Sequence, residues 1–212
     1  MIQTMVVGAL QENAYFFIDE TTQHGFVIDP GADGEALLAY IKEQGFTIEK
    51  ILITHGHFDH IGGAMFLKEA LNIPIVIHEA GKKYLEDPMW NLSGAYGMPY
   101  TVEADEYVKA GDIITLETAP DMTMHVIHVP GHTEDGVAFY CASRGVVFVG
   151  DILFKGAVGR SDFPGGNGTL LLQGIKEKLF TLPEDTLVCT GHGGTTTIQY
   201  EKVTNPYFNY DI

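Results

Sequence analysis

The chain has 212 residues, of which 45% are hydrophobic and 19% charged, a composition that excludes disordered and fibrous proteins. Its 12 Lys and Arg against 28 Asp and Glu give a net charge of −16, which argues against nucleic acids and anionic membrane surfaces as partners. No apolar run approaches the roughly 20 residues that span a bilayer, and the N-terminus lacks the features of a signal peptide. We therefore expect one domain over residues 1–212, with neither a membrane nor a nucleic-acid partner.

The two cysteines, Cys141 and Cys189, each lie within an apolar, strand-like run. In a chain of this length they are expected to be buried free thiols rather than a disulfide. Because free thiols persist in a reducing compartment, the sequence predicts a cytoplasmic protein.

The first half of the chain alternates strand-like and helix-like segments. Aromatic and β-branched runs at 14–20 and 24–30 flank the short polar turn TTQ, which predicts a hairpin. Apolar residues at helical spacing between Gly34 and Gly45 predict a helix. The other predicted elements here are strands at 50–55 and 74–78, a helix at 59–71 and a helical turn within 79–86.

A segment rich in Gly, Pro, Met and aromatic residues follows at 87–106. Because it exceeds the usual loop length of about 12–15 residues, we expect either a lid or wall of a functional site or an ordered surface connection. The predicted elements beyond it are strands at 112–117, 122–129, 136–142, 146–151 and 185–191 and a helix at 169–180. Two strand-rich halves with attached helices indicate an α/β fold of two mixed β-sheets packed together, with helices on the outer faces.

The most informative feature is the string His55-Gly56-His57-Phe58-Asp59-His60. His55 and His57 are two positions apart, so on an extended segment their side chains point the same way. Asp59 and His60 enter the following helix, whose N-terminal dipole favours a carboxylate and a neutral imidazole, and neutral imidazole is the form that binds metals. One turn can therefore present ligands to two cations.

Three later positions have the same character. His132, Asp151 and His192 each stand beside a glycine at the end of an apolar strand, where a rigid sheet can hold a ligand. Imidazole and carboxylate donors suit zinc, and they also accept iron or manganese. We predict a dinuclear site whose ligands are His55, His57, Asp59, His60, His132, Asp151 and His192, with Asp59 and Asp151 also serving in catalysis.

With these motifs the chain resembles the metallo-β-lactamase-fold hydrolases from end to end. The segments Gly8…Asn13-Ala14-Tyr15 and Val27-Ile28-Asp29-Pro30-Gly31 share the resemblance. It implies an αββα sandwich with two divalent metal ions. It further implies one metal on His55, His57 and His132, a second on Asp59, His60 and His192, and Asp151 as the bridge between them.

Within that family the chain is similar to the short, glyoxalase II-like group. Residues 159–166 (GRSDFPGG) and the ending Thr197…Asn205-Pro206 carry this likeness. Full-length glyoxalase II enzymes add a C-terminal helical domain that helps to hold glutathione, whereas this chain ends about 20 residues after His192. Its loop 159–163 also lacks their lysine and tyrosine, so we expect glutathione recognition to be weaker or different.

Other polar residues are weighed individually. Asp29, at a strand end before Pro-Gly, is a candidate for orienting a ligand histidine. Arg160 and Asp162 either bind substrate or pair within their own loop. The remaining histidines have no ligand-like context and are expected to be surface or hydrogen-bonded residues: His24, His78, His125 and His128.

A dinuclear site of this kind activates water to attack a carbonyl. A thiolate, with a pKa near 8.5, departs without a strong acid, whereas an amide nitrogen must be protonated. The leaving group therefore favours hydrolysis of a small-molecule thioester, and the resemblance to the glyoxalase II-like group implies a hydroxyacylglutathione-like substrate. The alternatives are a persulfide dioxygenase with one iron, a β-lactamase, a phosphodiesterase and a metal-binding module without catalysis.

Overall fold

A computed structural model describes residues 1–209, in which two six-stranded sheets lie face to face. The first sheet has its strands in chain order, with antiparallel pairs at its start and parallel pairs from β3 onward. Its strands are β1 (Ile2–Val7), β2 (Glu12–Ile18), β3 (His24–Ile28), β4 (Thr47–Leu52), β5 (Ile75–His78) and β6 (Glu106–Val108).

The second sheet has the order β14-β13-β10-β9-β8-β7, with one parallel pair between β10 and β13. Its strands are β7 (Ile113–Leu116), β8 (Ala119–His128), β9 (Val137–Cys141), β10 (Val146–Gly150), β13 (Leu187–Thr190) and β14 (Thr196–Thr197). A separate two-stranded hairpin consists of β11 (Leu153–Phe154) and β12 (Ala157–Val158). Both large sheets are mixed, as the sequence predicts.

Helices cover the outer faces, and three apolar layers result. Phe17, Phe26, Phe139 and Phe148 are among the side chains buried between the sheets. The helices are α1 (Gly34–Gln44), α2 (Phe58–Ile61), α3 (Ala64–Leu71), α4 (Lys82–Glu86), α5 (Gly168–Glu177), α6 (Ile198–Thr204) and α7 (Pro206–Asn209). Helices α1 and α3 pack on the first sheet, and α5 packs on the second. The predicted αββα sandwich is confirmed.

The predicted helix at 59–71 is wrong in one respect, because it is interrupted between α2 and α3. The backbone amide of Gly62 donates to the carbonyl of Gly31 at 3.0 Å, and that of Gly63 donates to Pro30 at 2.7 Å. These tertiary acceptors replace the helical ones. A side chain at Gly62 would place its Cβ 2.4 Å from the Gly31 oxygen, so the close approach requires glycine.

Several short elements escape the sequence patterns, including β6, the β11–β12 hairpin and the helices after residue 197. They are too short or too irregular for a clear period. Cys141 and Cys189 are buried free thiols, which confirms that prediction. Among residues 1–209, no helix is both long enough and apolar enough to cross a bilayer.

Candidate metal centre

The predicted ligands converge because five strands end at the same edge of the sandwich. The parallel strands β3 and β4 lead into Asp29 and the His55–His60 segment. In the second sheet, β8, β10 and β13 run in the same direction and lead into the loops that carry His132, Asp151 and His192. Residues that are distant in sequence therefore meet at one edge.

Three buried histidines form the first donor set. Nδ1 of His57 lies 3.1 Å from Nε2 of His55 and 3.0 Å from Nε2 of His132. Oδ2 of Asp151 lies 3.7 Å from the same His132 nitrogen. Three nitrogens and one carboxylate oxygen thus face one point, an arrangement suited to a tetrahedral cation.

Asp59, His60 and His192 form the second donor set. Nε2 of His192 lies 3.2 Å from Oδ2 of Asp59 and 3.6 Å from Oδ1 of Asp151. Nε2 of His60 lies 3.4 Å from that Asp151 oxygen and 3.9 Å from Oδ2 of Asp59. Asp151 therefore faces the first set with Oδ2 and the second with Oδ1, the position of a shared ligand.

Hydrogen bonds fix the orientation of four of the five imidazoles. Nδ1 of His60 lies 3.0 Å from Oδ2 of Asp29. Nδ1 of His132 lies 2.7 Å from the Arg160 carbonyl oxygen, and Nδ1 of His192 lies 3.1 Å from the Leu10 carbonyl oxygen. Nδ1 of His55 lies 3.2 Å from the Thr54 hydroxyl oxygen. Because these oxygens accept the Nδ1 proton, Nε2 keeps its lone pair for a metal.

The electrostatics of the site also fit cations. Nε2 of His60 and Oδ1 of Asp151 are buried without a hydrogen-bond partner in the described part of the chain. Burial lowers the pKa of His60, but Asp151 and Asp59 outweigh it and raise that pKa well above its usual value. The carboxylates therefore favour positive charge at this position, which a bound cation supplies.

The histidines of the first donor set are held in their neutral form. Burial, together with the neighbouring His132, lowers the pKa of His57 to about 3. Burial and the adjacent His60 likewise lower the pKa of His55. Neutral imidazoles can bind a divalent cation without first losing a proton.

An open cavity of about 270 Å³ leads to both donor sets, and we call it the metal cavity. Its wall includes Leu92 and Tyr96, so segment 87–106 is both an ordered connection and a wall of the site. Buried Asn91 anchors this segment, since its carbonyl accepts the amide proton of Phe58 at 2.8 Å. The apolar side chains around the cavity are Leu10, Phe58, Leu92, Tyr96, Phe154 and Phe163.

The three remaining predicted residues have different positions. Asp29 lies beneath His60 and also accepts the Thr54 amide at 2.7 Å and the Thr54 hydroxyl at 2.6 Å. Arg160 lines the metal cavity, but its guanidinium makes two 2.7 Å bonds to Asp162, which is not part of the wall. The pair therefore satisfies itself within its own loop.

Sequence reasoning missed three buried polar residues near the centre. Thr54 links Asp29 to His55. Asp135 accepts the Gly56 amide at 2.9 Å and so supports the turn between His55 and His57. Glu12 brings its carboxylate to 3.8 Å from Nδ1 of His60. Only the position of Thr54, directly before the histidine string, was a usable signal.

Solved structures with the same overall fold are known. The chain superposes on a structure described as the BLEG-1 B3 metallo-beta-lactamase with a TM-score of 0.94 and 38% identity, covering 99% of this chain and 100% of that one. A di-iron-bound form of TTHA1623 gives a TM-score of 0.83 at 35% identity, covering 97% of this chain and 99% of that one. ETHE1 from Myxococcus xanthus gives a TM-score of 0.81 at 27% identity, covering 97% of this chain and 83% of that one.

Sequence relatives point the same way. The chain is 40% identical over 206 residues to the probable metallo-hydrolase YqgX of Bacillus subtilis, covering 97% of this chain and 96% of that one. It is 34% identical over 212 residues to the hydroxyacylglutathione hydrolase GloC of Haemophilus influenzae, covering 98% of each. The family model of the metallo-beta-lactamase superfamily matches residues 7–192, which include all seven candidate ligands. The chain belongs to the metallo-beta-lactamase superfamily.

Proposed function

We propose that this metal-dependent hydrolase cleaves thioesters, with two divalent cations held by the two donor sets. Zinc is the first candidate metal, and iron and manganese are the alternatives. The observation that carries the proposal is Asp151, whose two oxygens face different donor sets beside an open cavity. When bound, two cations would supply a hydroxide nucleophile at neutral pH and would stabilise negative charge on a carbonyl oxygen.

The chain itself contributes a proton acceptor and a restricted space. Burial raises the pKa of Asp59, but His60 and His192 outweigh it and the pKa is lowered. The carboxylate is therefore ionised at neutral pH and can accept a proton from the attacking water. Phe58 and Tyr96, whose rings lie 4.7 Å apart, form an apolar wall that limits the access of bulk water.

The leaving group favours a thioester. In the described lining of the metal cavity, every carboxylate and histidine belongs to a donor set. The lining thus offers no separate carboxylic acid or histidine to protonate an amine, whereas a thiolate needs no such acid. The likeness to the hydroxyacylglutathione hydrolase of Haemophilus influenzae supports the same substrate class.

β-Lactam hydrolysis is the second candidate. The likeness to the BLEG-1 B3 metallo-beta-lactamase, at 38% identity over almost the whole chain, favours it. The absence of a separate carboxylic acid or histidine from the described lining weighs against it, because the amine produced by opening a lactam ring needs a proton. A cephalosporin therefore belongs in the same assay as the thioesters.

The test is metal analysis and turnover measured on one preparation. Protein expressed with zinc, iron and manganese all present is analysed for metal content and then assayed with thioesters, a cephalosporin and a persulfide. About two equivalents of metal with thioester hydrolysis support the proposal. One equivalent of iron with oxygen uptake on the persulfide, or cephalosporin hydrolysis without thioester hydrolysis, overturns it.

We also infer that the protein works in the cytoplasm. Cys141 and Cys189 are buried free thiols, and such thiols suit a reducing compartment. Cell fractionation with a tagged chain tests this inference. Recovery with a secreted or periplasmic marker would contradict it.

A further inference from the structure

A second cavity opens beside the metal cavity, and we call it the side chamber. It has a volume of about 260 Å³ and shares Leu10, Phe58 and Asp59 with the metal cavity. The loop after β1, residues 31–33, Gly62 and the segment around Met98 and Tyr100 form the rest of its wall. The two cavities therefore adjoin at Asp59, next to the second donor set.

The side chamber has an apolar wall. More than half of the residues that line it are apolar or aromatic, including Val7, Ala9, Leu10, Phe58, Met98 and Tyr100. The Tyr100 hydroxyl donates to the Phe58 carbonyl and so does not offer a free polar group. Such a wall favours an uncharged hydrocarbon group.

Two acidic residues, Asp33 and Asp59, also line the chamber. Asp33 accepts the Gly8 amide at 2.9 Å, which closes the loop onto the start of α1. Asp59 belongs to the second donor set. The described lining contains no Lys or Arg, so it cannot pair with the carboxylates of a carrier such as glutathione.

Two large side chains on the chamber wall are left exposed to solvent. Leu10 is 43% exposed and Met98 is 58% exposed. Both lie where a ligand in the chamber would cover them. Exposed apolar side chains gathered around a cavity are typical of a binding site.

We propose, building on the proposed thioesterase function, that the side chamber binds the apolar acyl group of the substrate. At about 30 Å³ for each small group, its volume accommodates an acyl chain of roughly eight carbons. The thiol carrier then leaves through the metal cavity, past Tyr96 and Phe163. Butyryl to octanoyl thioesters should therefore be better substrates than acetyl thioesters.

The first experiment varies only the acyl chain. Acetyl, butyryl, hexanoyl and dodecanoyl thioesters of the neutral carrier N-acetylcysteamine are hydrolysed by the metal-loaded protein. Burial of each methylene raises kcat/KM up to about fourfold, so hexanoyl exceeds acetyl by at least tenfold and dodecanoyl falls again. Hydrolysis at rates independent of chain length overturns this inference but leaves the thioesterase proposal intact, whereas no hydrolysis of any thioester contradicts the thioesterase proposal.

A matched pair of variants localises the effect. Ala9→Trp fills the chamber and lowers the hexanoyl-to-acetyl ratio of kcat/KM by at least fivefold, judged at equal metal content. Ala142→Trp adds the same side chain at an exposed residue after β9, at the opposite end of that strand from the centre, and keeps the wild-type ratio. An unchanged ratio in Ala9→Trp overturns the inference.

A binding measurement gives an answer that does not depend on turnover. The probe is the ketone in which a methylene replaces the sulfur of the hexanoyl thioester. With ¹³C-methyl methionine labelling, the Met98 methyl resonance, assigned by its loss in Met98→Ala, shifts when this ketone binds. Binding that leaves the Met98 resonance unmoved overturns the inference.

Discussion

Imidazole orientation is fixed one hydrogen bond at a time. His60 relies on Asp29, a charged acceptor that is itself held by the amide and hydroxyl of Thr54. His132 and His192 rely on backbone carbonyls, which no side-chain substitution removes. Asp29 and Thr54, the partner of His55, are therefore the side chains through which the metal centre can be weakened without changing a ligand.

Asp29→Asn should lower the affinity for one metal ion about 10- to 100-fold, since His60 loses its charged acceptor. Asparagine tolerates the positive φ of 49° at this position, so the backbone is preserved. Competition with a chromogenic chelator measures the affinity. Asp112→Asn, at an exposed turn where Asp112 accepts the Lys109 amide, is the control, and equal affinities in the two variants would contradict the role of Asp29.

The carboxylates that face the cations are predicted to matter for binding and turnover together. Asp151→Ala and Asp59→Ala should each lose about one equivalent of metal and at least a hundredfold in activity, because each removes a donor from the second set. Elemental analysis and thioester hydrolysis on the same samples check this. Asp121→Ala, an exposed carboxylate near Arg144, serves as the control. Full activity in metal-loaded Asp151→Ala would show that Asp151 does not bridge two cations.

At the scale of single elements, strand ends determine how closely the ligands approach one another. Strand β10 shows this because glycines with positive φ stand at both of its ends, Gly145 at 59° and Gly150 at 49°. A Cβ at Gly150 would lie 2.2 Å from the Thr54 hydroxyl, whereas a Cβ at Gly145 would meet nothing within 4 Å. The two glycines thus share a backbone conformation but differ in their surroundings.

Gly145→Ala should lower the free energy of unfolding by about 1 kcal/mol, the cost of a left-handed residue. Gly150→Ala should cost about 3 kcal/mol, because it also displaces Thr54 from its hydrogen bonds to Asp29. It should weaken metal binding as well. Urea unfolding of the metal-free variants and chelator competition measure both effects, and equal costs at the two glycines would be inconsistent with the close contact.

At the scale of the whole molecule, the two sheets also meet through a pair of histidines that are not among the candidate metal ligands. His78 ends β5 and His128 ends β8, and their rings stack with centroids 4.1 Å apart at 17°. The buried His78 accepts the Ala80 amide through Nδ1 at 3.3 Å, which requires the neutral ring. Burial and the neighbouring His128 lower the pKa of His78 to about 4, although Glu79 and Asp112 oppose the shift.

This pair predicts a pH dependence of stability. The pKa of His78 is near 6.5 in the unfolded chain and about 4 in the folded one, so the unfolded chain binds more protons between these values. The stability that neutral His78 contributes is complete above pH 6.5 and is lost as the pH falls towards 4. As the pH falls over this range, the free energy of unfolding of metal-free His78→Phe should decrease by about 2 kcal/mol less than that of the wild type.

Urea unfolding at pH 7, 5.5 and 4.5 measures the difference. The control is His125→Phe, an exposed position on the same strand as His128, which should follow the wild type. Parallel pH profiles for His78→Phe and the wild type would contradict the prediction.

The sequence by itself determined the sandwich and the chemical identity of the site. Periods of two and of helical spacing arise from local backbone geometry, so the long strands and helices α1 and α5 were predictable to within a few residues. The string at residues 55–60 placed four donors within one turn, because its spacing is local. His132, Asp151 and His192 were recognisable since each follows an apolar strand.

Only the tertiary structure decided how these donors are arranged and supported. The carbonyl of Leu10 accepts the hydrogen bond of His192 from 182 positions away in the chain. Because backbone carbonyls are chemically alike in all residues, nothing in the sequence marks this one as the acceptor. The break at Gly62 likewise depends on a carbonyl of another segment. The side chamber arises where four segments that are separate in the sequence meet. Long-range packing sets these features, and a single sequence encodes such packing only through the fold as a whole.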